Sequence, residues 1–295
     1  MKNKRILLAV LALFTLIMVI ATSSVQSSQQ INQMYVFGDS LSDVGNIFRS
    51  TGGVYPPNPP YFQGRYSNGR VWVEYLAEKL ALNPKQTTNF AYGGAMTGRI
   101  SNNGIPGLLT QVETFTKSQQ DINQNALYVI WSGANDYIYG AADSATPVKN
   151  ISVSIDLLAS SGAKKILVAN LPDLGNLPAT RNNPSSQALS TLTNAHNQGL
   201  DKALVGLRQK FDAIQIGEVD VNSLYRDAIS NPSKYGFTNV TSACLNNKAT
   251  CDNPNKFLFW DGIHPTTATH KILGEGALKA VSNQSSLQPS LVTPG

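Results

Sequence analysis

Along the chain, short apolar runs alternate with longer stretches whose apolar residues recur at helical spacing. Gln33–Phe37 is an apolar run that ends at Gly38, a strand feeding a turn. Thr88–Tyr92, Ala126–Trp131, Lys165–Asn170 and Ala213–Val219 read the same way, which makes five predicted strands. Between them, Val71–Leu82 places Val71, Tyr75, Leu76 and Leu80 on one helical face. Leu108–Lys117, Val148–Ser161, Ser186–Phe211, Asn222–Ile229 and Thr266–Val281 are the other predicted helices. Residues 43–69 hold no period; they carry Gly52-Gly53 and a Pro-rich stretch from Pro56 to Pro60. Strands alternating with helices call for a parallel sheet covered on both faces, with ligands bound just beyond the carboxyl ends of its strands.

The amino terminus departs from this pattern. Residues 1–5 are basic, Ile6–Ala21 is almost wholly apolar, and Thr22–Gln30 is rich in Ser, Thr and Gln. That order is the layout of a secretory signal. It divides the chain into a signal peptide over 1–28 (cleaved within 21–28), a catalytic-sized domain over 29–283 and a flexible tail over 284–295. The expected destination is the periplasm or the medium; an uncleaved membrane anchor is the competing reading.

Composition then narrows the classes. The 295 residues are 42% hydrophobic and 14% charged, enough for a substantial core and unlike a disordered chain. The net charge of +5 is concentrated at the start: without Lys2, Lys4 and Arg5 there remain 20 basic and 18 acidic residues. No basic cluster follows, which argues against a nucleic-acid partner. Cys244 and Cys251 are the only cysteines, and in an exported chain such a close pair reads as a disulfide. Two thiols alone do not fill a zinc shell.

Four segments hold residue types that do chemistry. In Gly38-Asp39-Ser40-Leu41-Ser42-Asp43, a Ser follows a strand and a Gly turn. If a helix starts there, the Ser40 N–H is free to meet a developing oxyanion. In Asn89-Phe90-Ala91-Tyr92-Gly93-Gly94, a Gly pair lets the backbone present an N–H at close range. In Gly133-Ala134-Asn135-Asp136, the Asn135 amide is a further donor. In Asp261-Gly262-Ile263-His264, carboxylate and imidazole can meet within one turn and leave Nε2 free as a base. Pro265 fits the start of the helix that follows. His196 and His270 lie inside helical patterns and read as surface or packing residues. Taken singly, each segment is also an ordinary cap or turn.

Together and in this order they resemble the blocks of the GDSL esterase/lipase family, the SGNH hydrolases. The resemblance spans roughly residues 33 to 281, and Phe62–Trp72 with Phe259-Trp260-Asp261 looks like the larger secreted branch. It implies a flavodoxin-like three-layer α/β/α sandwich with a central five-stranded parallel sheet. It assigns Ser40 as nucleophile, His264 as general base and acid, and Asp261 as the residue that orients the imidazole. The Ser40 N–H, the Gly94 N–H and the Asn135 amide would form the oxyanion hole, with Gly93 left open as the alternative to Gly94. No metal and no organic cofactor is implied. The expected activity is hydrolysis of carboxylic esters, by a monomer acting on a small-molecule or lipid ester with transient contact at a lipid interface. A phospholipase A or lipid acyltransferase and a polysaccharide O-acetyl deacetylase would use the same residues; a secreted binding module would keep the scaffold alone. Residues 43–69, with Tyr55, Tyr61 and Phe62, are either a lipid-facing mouth or a plain surface loop.

Overall fold

A computed structural model describes residues 30–286, apart from 120, 142, 247 and 248. The signal-peptide reading and the end of the expected tail therefore lie outside the described residues. Five parallel strands, β1 (Gln33–Gly38), β2 (Thr87–Asn89), β3 (Ala126–Trp131), β4 (Lys165–Ala169) and β5 (Gln215–Val219), form one sheet in the order β2-β1-β3-β4-β5. This is the doubly wound order whose ligand crevice opens where the chain reverses direction, between β1 and β3.

The sheet is buried on both faces because successive residues of its central strands point oppositely. Met34, Val36, Leu127, Val129, Trp131 and Leu167 enter one apolar layer. Tyr35, Phe37, Tyr128, Ile130, Ile166 and Val168 enter the other. The first layer is closed by helices α2 (Trp72–Lys79), α7 (Val221–Ser230) and α8 (Thr267–Ser286). The second is closed by α3 (Leu108–Ser118), α5 (Ala145–Ser160) and most of α6 (Ser186–Lys210). Each presents apolar residues three or four apart, as Leu108, Val112 and Phe115 do on α3. The expected three-layer sandwich is present.

Four details differ from expectation. β2 is regular over only three residues; beyond Asn89 the Phe90 and Tyr92 N–H groups still donate to the Val36 and Gly38 carbonyls of β1, while the Asn89 side chain accepts from the Ala91 N–H and Asn46 Nδ2 donates to the Asn89 and Ala91 carbonyls. A short helix, α1 (Asn46–Ser50), interrupts the stretch read as irregular. A second, two-stranded parallel sheet joins β6 (Asn239–Ala243) and β7 (Phe257–Phe259), segments too short and too mixed in polarity to announce themselves. The last helix begins at Thr267 and continues to Ser286, so Pro265 precedes it and instead bridges Phe259. Cys244 and Cys251 form a disulfide with Cα atoms 4.9 Å apart. It ties off the chain just after β6, where Cys244 and Leu245 donate to the carbonyls of Phe259 and Trp260.

Candidate active site

Ser40 stands just past the carboxyl end of β1. The strand can end this way because Gly38 lies against the next strand: a Cβ there would come within 2.2 Å of the Trp131 carbonyl oxygen. The buried side chain of Gln111, on α3, clamps that residue by accepting from its N–H at 2.8 Å and donating to its carbonyl at 2.9 Å. Ser40 sits in a turn and does not start a helix. The Asp39 carbonyl accepts from the N–H groups of Ser42 and Asp43, which makes a tight turn. Asp43 then caps α1 from below by accepting from the N–H groups of Gly45, Asn46 and Ile47. The turn still leaves the Ser40 N–H without a partner among the described residues.

Asp261 and His264 follow β7 of the small sheet. Within one turn, Asp261 Oδ1 accepts from the N–H groups of Ile263 and His264, at 2.8 and 2.7 Å. His264 Nδ1 lies 3.0 and 2.8 Å from the two oxygens of the same carboxylate. Its Nε2 lies 2.8 Å from Ser40 Oγ, across 224 residues of sequence. The three side chains thus form one continuous hydrogen-bonded line. Burial alone would push the Asp261 carboxyl up, but the His264 charge and the hydrogen bonds from His264 and Ile263 outweigh it and hold it well below the usual range. Burial likewise disfavours the imidazolium, yet the Asp261 carboxylate and, further off, Asp39 raise the His264 pKa above its ordinary value. Asp39 itself is pushed up to about 7 by burial, against the opposing Leu41 N–H bond and the His264 charge.

The other two segments converge on the same serine. The Gly93 N–H is taken by Asp43 Oδ2 at 2.9 Å, whereas the Gly94 N–H has no partner among the described residues. Gly93 must lack a side chain because Tyr66 packs on it, its hydroxyl 2.3 Å from where a Cβ would be. Asn135, buried in helix α4 (Ala134–Ile138), donates one Nδ2 hydrogen to the Ala95 carbonyl at 2.9 Å, and its second has no partner among the described residues. Its neighbour Asp136 accepts from both the N–H and the hydroxyl of Thr97. These bonds lock residues 95–97 to α4 and so set Gly94 beside Asn135. The structure brings Ser40, Asp261 and His264 into direct contact and places Gly94 and Asn135 on adjoining segments. His196 and His270 are buried packing residues; His196 Nδ1 pairs with the Tyr137 hydroxyl and His270 Nδ1 accepts from the Trp72 N–H.

Sequence reasoning missed three residues that hold this arrangement: Gln111, Asp43 as the link between two blocks, and Tyr61. The Tyr61 hydroxyl donates to Asp261 Oδ2 at 2.7 Å. The 43–69 stretch is thus neither all mouth nor all plain loop. Tyr61 and Tyr66 turn inward, Tyr66 against the His264 ring at 5.1 Å, while Val54 and Tyr55 stay mostly exposed. On the Asp261 side, two clefts of about 850 and 550 Å³ share Leu245, Asn246 and Gly262. Among the described residues no cluster of His, Cys, Asp or Glu could hold a metal ion, and no helix is long and apolar enough to cross a membrane.

A sandwich of this topology with a Ser–His–Asp line at its crevice defines a class of hydrolase scaffold. Residues 34–277 match the family model described as GDSL-like Lipase/Acylhydrolase, so the chain belongs to that family and is a carboxylic ester hydrolase. The chain is 28% identical to the phosphatidylcholine-sterol acyltransferase of Aeromonas hydrophila, over 90% of this chain and 94% of that protein. It is also 28% identical to the GDSL esterase/lipase APG of Arabidopsis thaliana, over 88% and 94%. The native aryl esterase of M. smegmatis shares the fold, with a TM-score of 0.50 at 15% identity over 86% of this chain and 99% of that one.

Proposed function

We propose that the protein is an exported serine esterase that cleaves acyl esters in two steps through an acyl-enzyme. The observation that carries this reading is the unbroken line from Ser40 Oγ through His264 to Asp261, with each link at 2.8 Å. His264 Nε2 takes the Ser40 hydroxyl proton as Oγ bonds to the ester carbonyl carbon. The carbonyl oxygen, now an oxyanion, is met by the N–H groups of Ser40 and Gly94 and the spare Nδ2 hydrogen of Asn135. Collapse breaks the bond to the alcohol, which leaves with the proton from Nε2. Water then attacks the acyl-Ser40 ester, gives its proton to Nε2, and releases the acid. Since the base must be neutral, activity falls as pH drops through the His264 pKa, and the raised value puts that limb above the position of an ordinary histidine.

A lipid acyl donor is the substrate class we favour. The acyltransferase relative is named for a phosphatidylcholine substrate, and Val54 and Tyr55 leave apolar surface exposed at the end of the Tyr66–Tyr55 ring contact that begins at His264. The test is hydrolysis of p-nitrophenyl esters from acetate to palmitate, with a fluorophosphonate to trap the nucleophile. We expect one adduct per chain, on the peptide that contains Ser40, and a rate that rises beyond butyrate. An adduct elsewhere would overturn the nucleophile assignment. A preference for acetate alone would favour the deacetylase reading, with the clefts beside Gly262 as its carbohydrate site.

Removing the Asn135 side chain probes the oxyanion hole. Asn135→Ala is expected to lower kcat by about 10²–10³ with little change in KM, because the lost donor acts on charge that exists only in the transition state. Near wild-type turnover in a folded variant would take Asn135 out of that role.

A further inference from the structure

Asp261 is held unevenly. Its Oδ1 accepts from two backbone N–H groups, of Ile263 and His264, and lies 3.0 Å from His264 Nδ1. Its Oδ2 takes the shorter imidazole bond, at 2.8 Å, and has no backbone donor among the described residues. Among the described residues, the only other group on Oδ2 is the Tyr61 hydroxyl at 2.7 Å, which arrives from a loop 200 residues away in sequence. Backbone geometry therefore fixes one oxygen, and a single phenol fixes the oxygen that serves the histidine.

We propose that Tyr61 is a positioning residue for the reaction, a fourth member of the Ser40–His264–Asp261 line that sets the angle and basicity of the Asp261 carboxylate. The proposal rests on the triad reading above. Tyr61 is itself located by its N–H bond to the Pro57 carbonyl and by edge contacts with Tyr66 and Trp260. It remains a donor at all working pH values, because burial and then the Asp261 charge push its phenol well above the ordinary range. A donated proton has two consequences. It stops the carboxylate from twisting away from Nδ1, which favours turnover. It also draws charge from Oδ2, which makes the imidazolium less stable than a lone carboxylate would.

The two consequences separate a positioning role from mere packing. The ionisable groups that bear on Tyr61 and His264 are Asp261, Asp39, Tyr55, Tyr66 and His270, and Tyr61→Phe leaves every one of these side chains in place. That variant keeps the ring and its aromatic contacts and removes only the hydroxyl. Measured on a p-nitrophenyl ester across the pH range, we expect kcat to fall about tenfold, KM to stay within about twofold, and the acidic limb of kcat/KM to move to higher pH. Replacement of Tyr61 by 3-fluorotyrosine keeps the shape, makes the hydroxyl a stronger donor and should move the limb the other way. The low-field proton resonance of His264 Nδ1–H should shift in both variants. If both leave the limb and the resonance in place, Tyr61 only packs and the proposal is overturned. Ser40→Ala, assayed alongside, keeps the readings apart: if it retained turnover, the triad itself would be wrong, whatever Tyr61 does.

Discussion

Ser40→Ala is expected to lower kcat on a p-nitrophenyl ester by roughly 10⁶, with KM within a few-fold of wild type. The size follows from what the hydroxyl does. Without it no acyl-enzyme forms, and His264 has no alcohol to deprotonate. The oxyanion donors remain, so a residue of about 10³–10⁴ over the uncatalysed rate should persist. His264→Ala should cost about as much, because a serine without its base is a poor nucleophile. The decisive comparison is the double variant. Two groups that pass one proton act as a unit, so Ser40→Ala with His264→Ala should be no slower than either alone. Independent contributions would instead multiply. The fold should not suffer in Ser40→Ala, since among the described residues the Ser40 hydroxyl pairs with His264 Nε2 and with no backbone group. Calorimetry on each variant checks this. Additive losses in folded variants would show that Ser40 and His264 serve separate steps.

What was legible in the sequence divides by distance along the chain. The Asp261–His264 pair could be read directly, because three residues of spacing within a Gly-containing turn bring carboxylate and imidazole together by local geometry. The central strands β1, β3 and β4 are legible for a similar reason: a strand buried on both faces must be apolar nearly throughout, and Ala126–Trp131 or Lys165–Ala169 has no other use for such a run. The edge strand β2 is regular only over Thr87–Asn89, one residue earlier and shorter than the run Thr88–Tyr92 suggests; beyond it the Phe90 and Tyr92 N–H groups still bond to β1, while the Asn89 side chain turns to the Ala91 N–H. β6 and β7 give no period to count; they pair across the fold, with Cys244 and Leu245, just past β6, donating to the Phe259 and Trp260 carbonyls.

Partners far apart in sequence were invisible for a different reason. Whether Gly93 or Gly94 offers its N–H depends on Asp43, whose Oδ2 takes the first and leaves the second. An Asp two residues beyond Leu41 is just as good a helix cap, and it does act as one; its second bond could not be inferred from position. Gln111 reads as one polar residue on an amphipathic helix, yet it is buried and satisfies both backbone groups of Gly38. Tyr61 sat in a stretch of Tyr, Phe and Pro that offered only a choice between mouth and loop. In each case the sequence carries the side chain, and the fold decides whom it meets.

Asp261→Asn is expected to lower kcat by about 10⁴, less than the loss of Ser40 or His264 but large for a change of almost identical shape. The cause is the tautomer. In the native line the Asp261 oxygens can only accept, so Nδ1 carries the proton and Nε2 is free to take one from Ser40. An asparagine here would keep its oxygen on the Ile263 and His264 N–H groups, because those two backbone donors already lie at 2.8 and 2.7 Å from Oδ1. Its amide then falls at the Oδ2 position, facing both Nδ1 and the Tyr61 hydroxyl. An NH₂ pointed at Nδ1 favours the proton on Nε2, where it faces the nucleophile as a donor and cannot accept. The imidazolium also loses the carboxylate that raises its pKa, so the acidic limb should move down as kcat falls. Combining Asp261→Asn with Tyr61→Phe distinguishes this account from general disruption. Once the carboxylate is gone, Tyr61 has no charge to steer, and the second substitution should add little to the loss and leave the limb where Asp261→Asn put it. A further tenfold loss in the double variant would mean that Tyr61 acts on the reaction by another route.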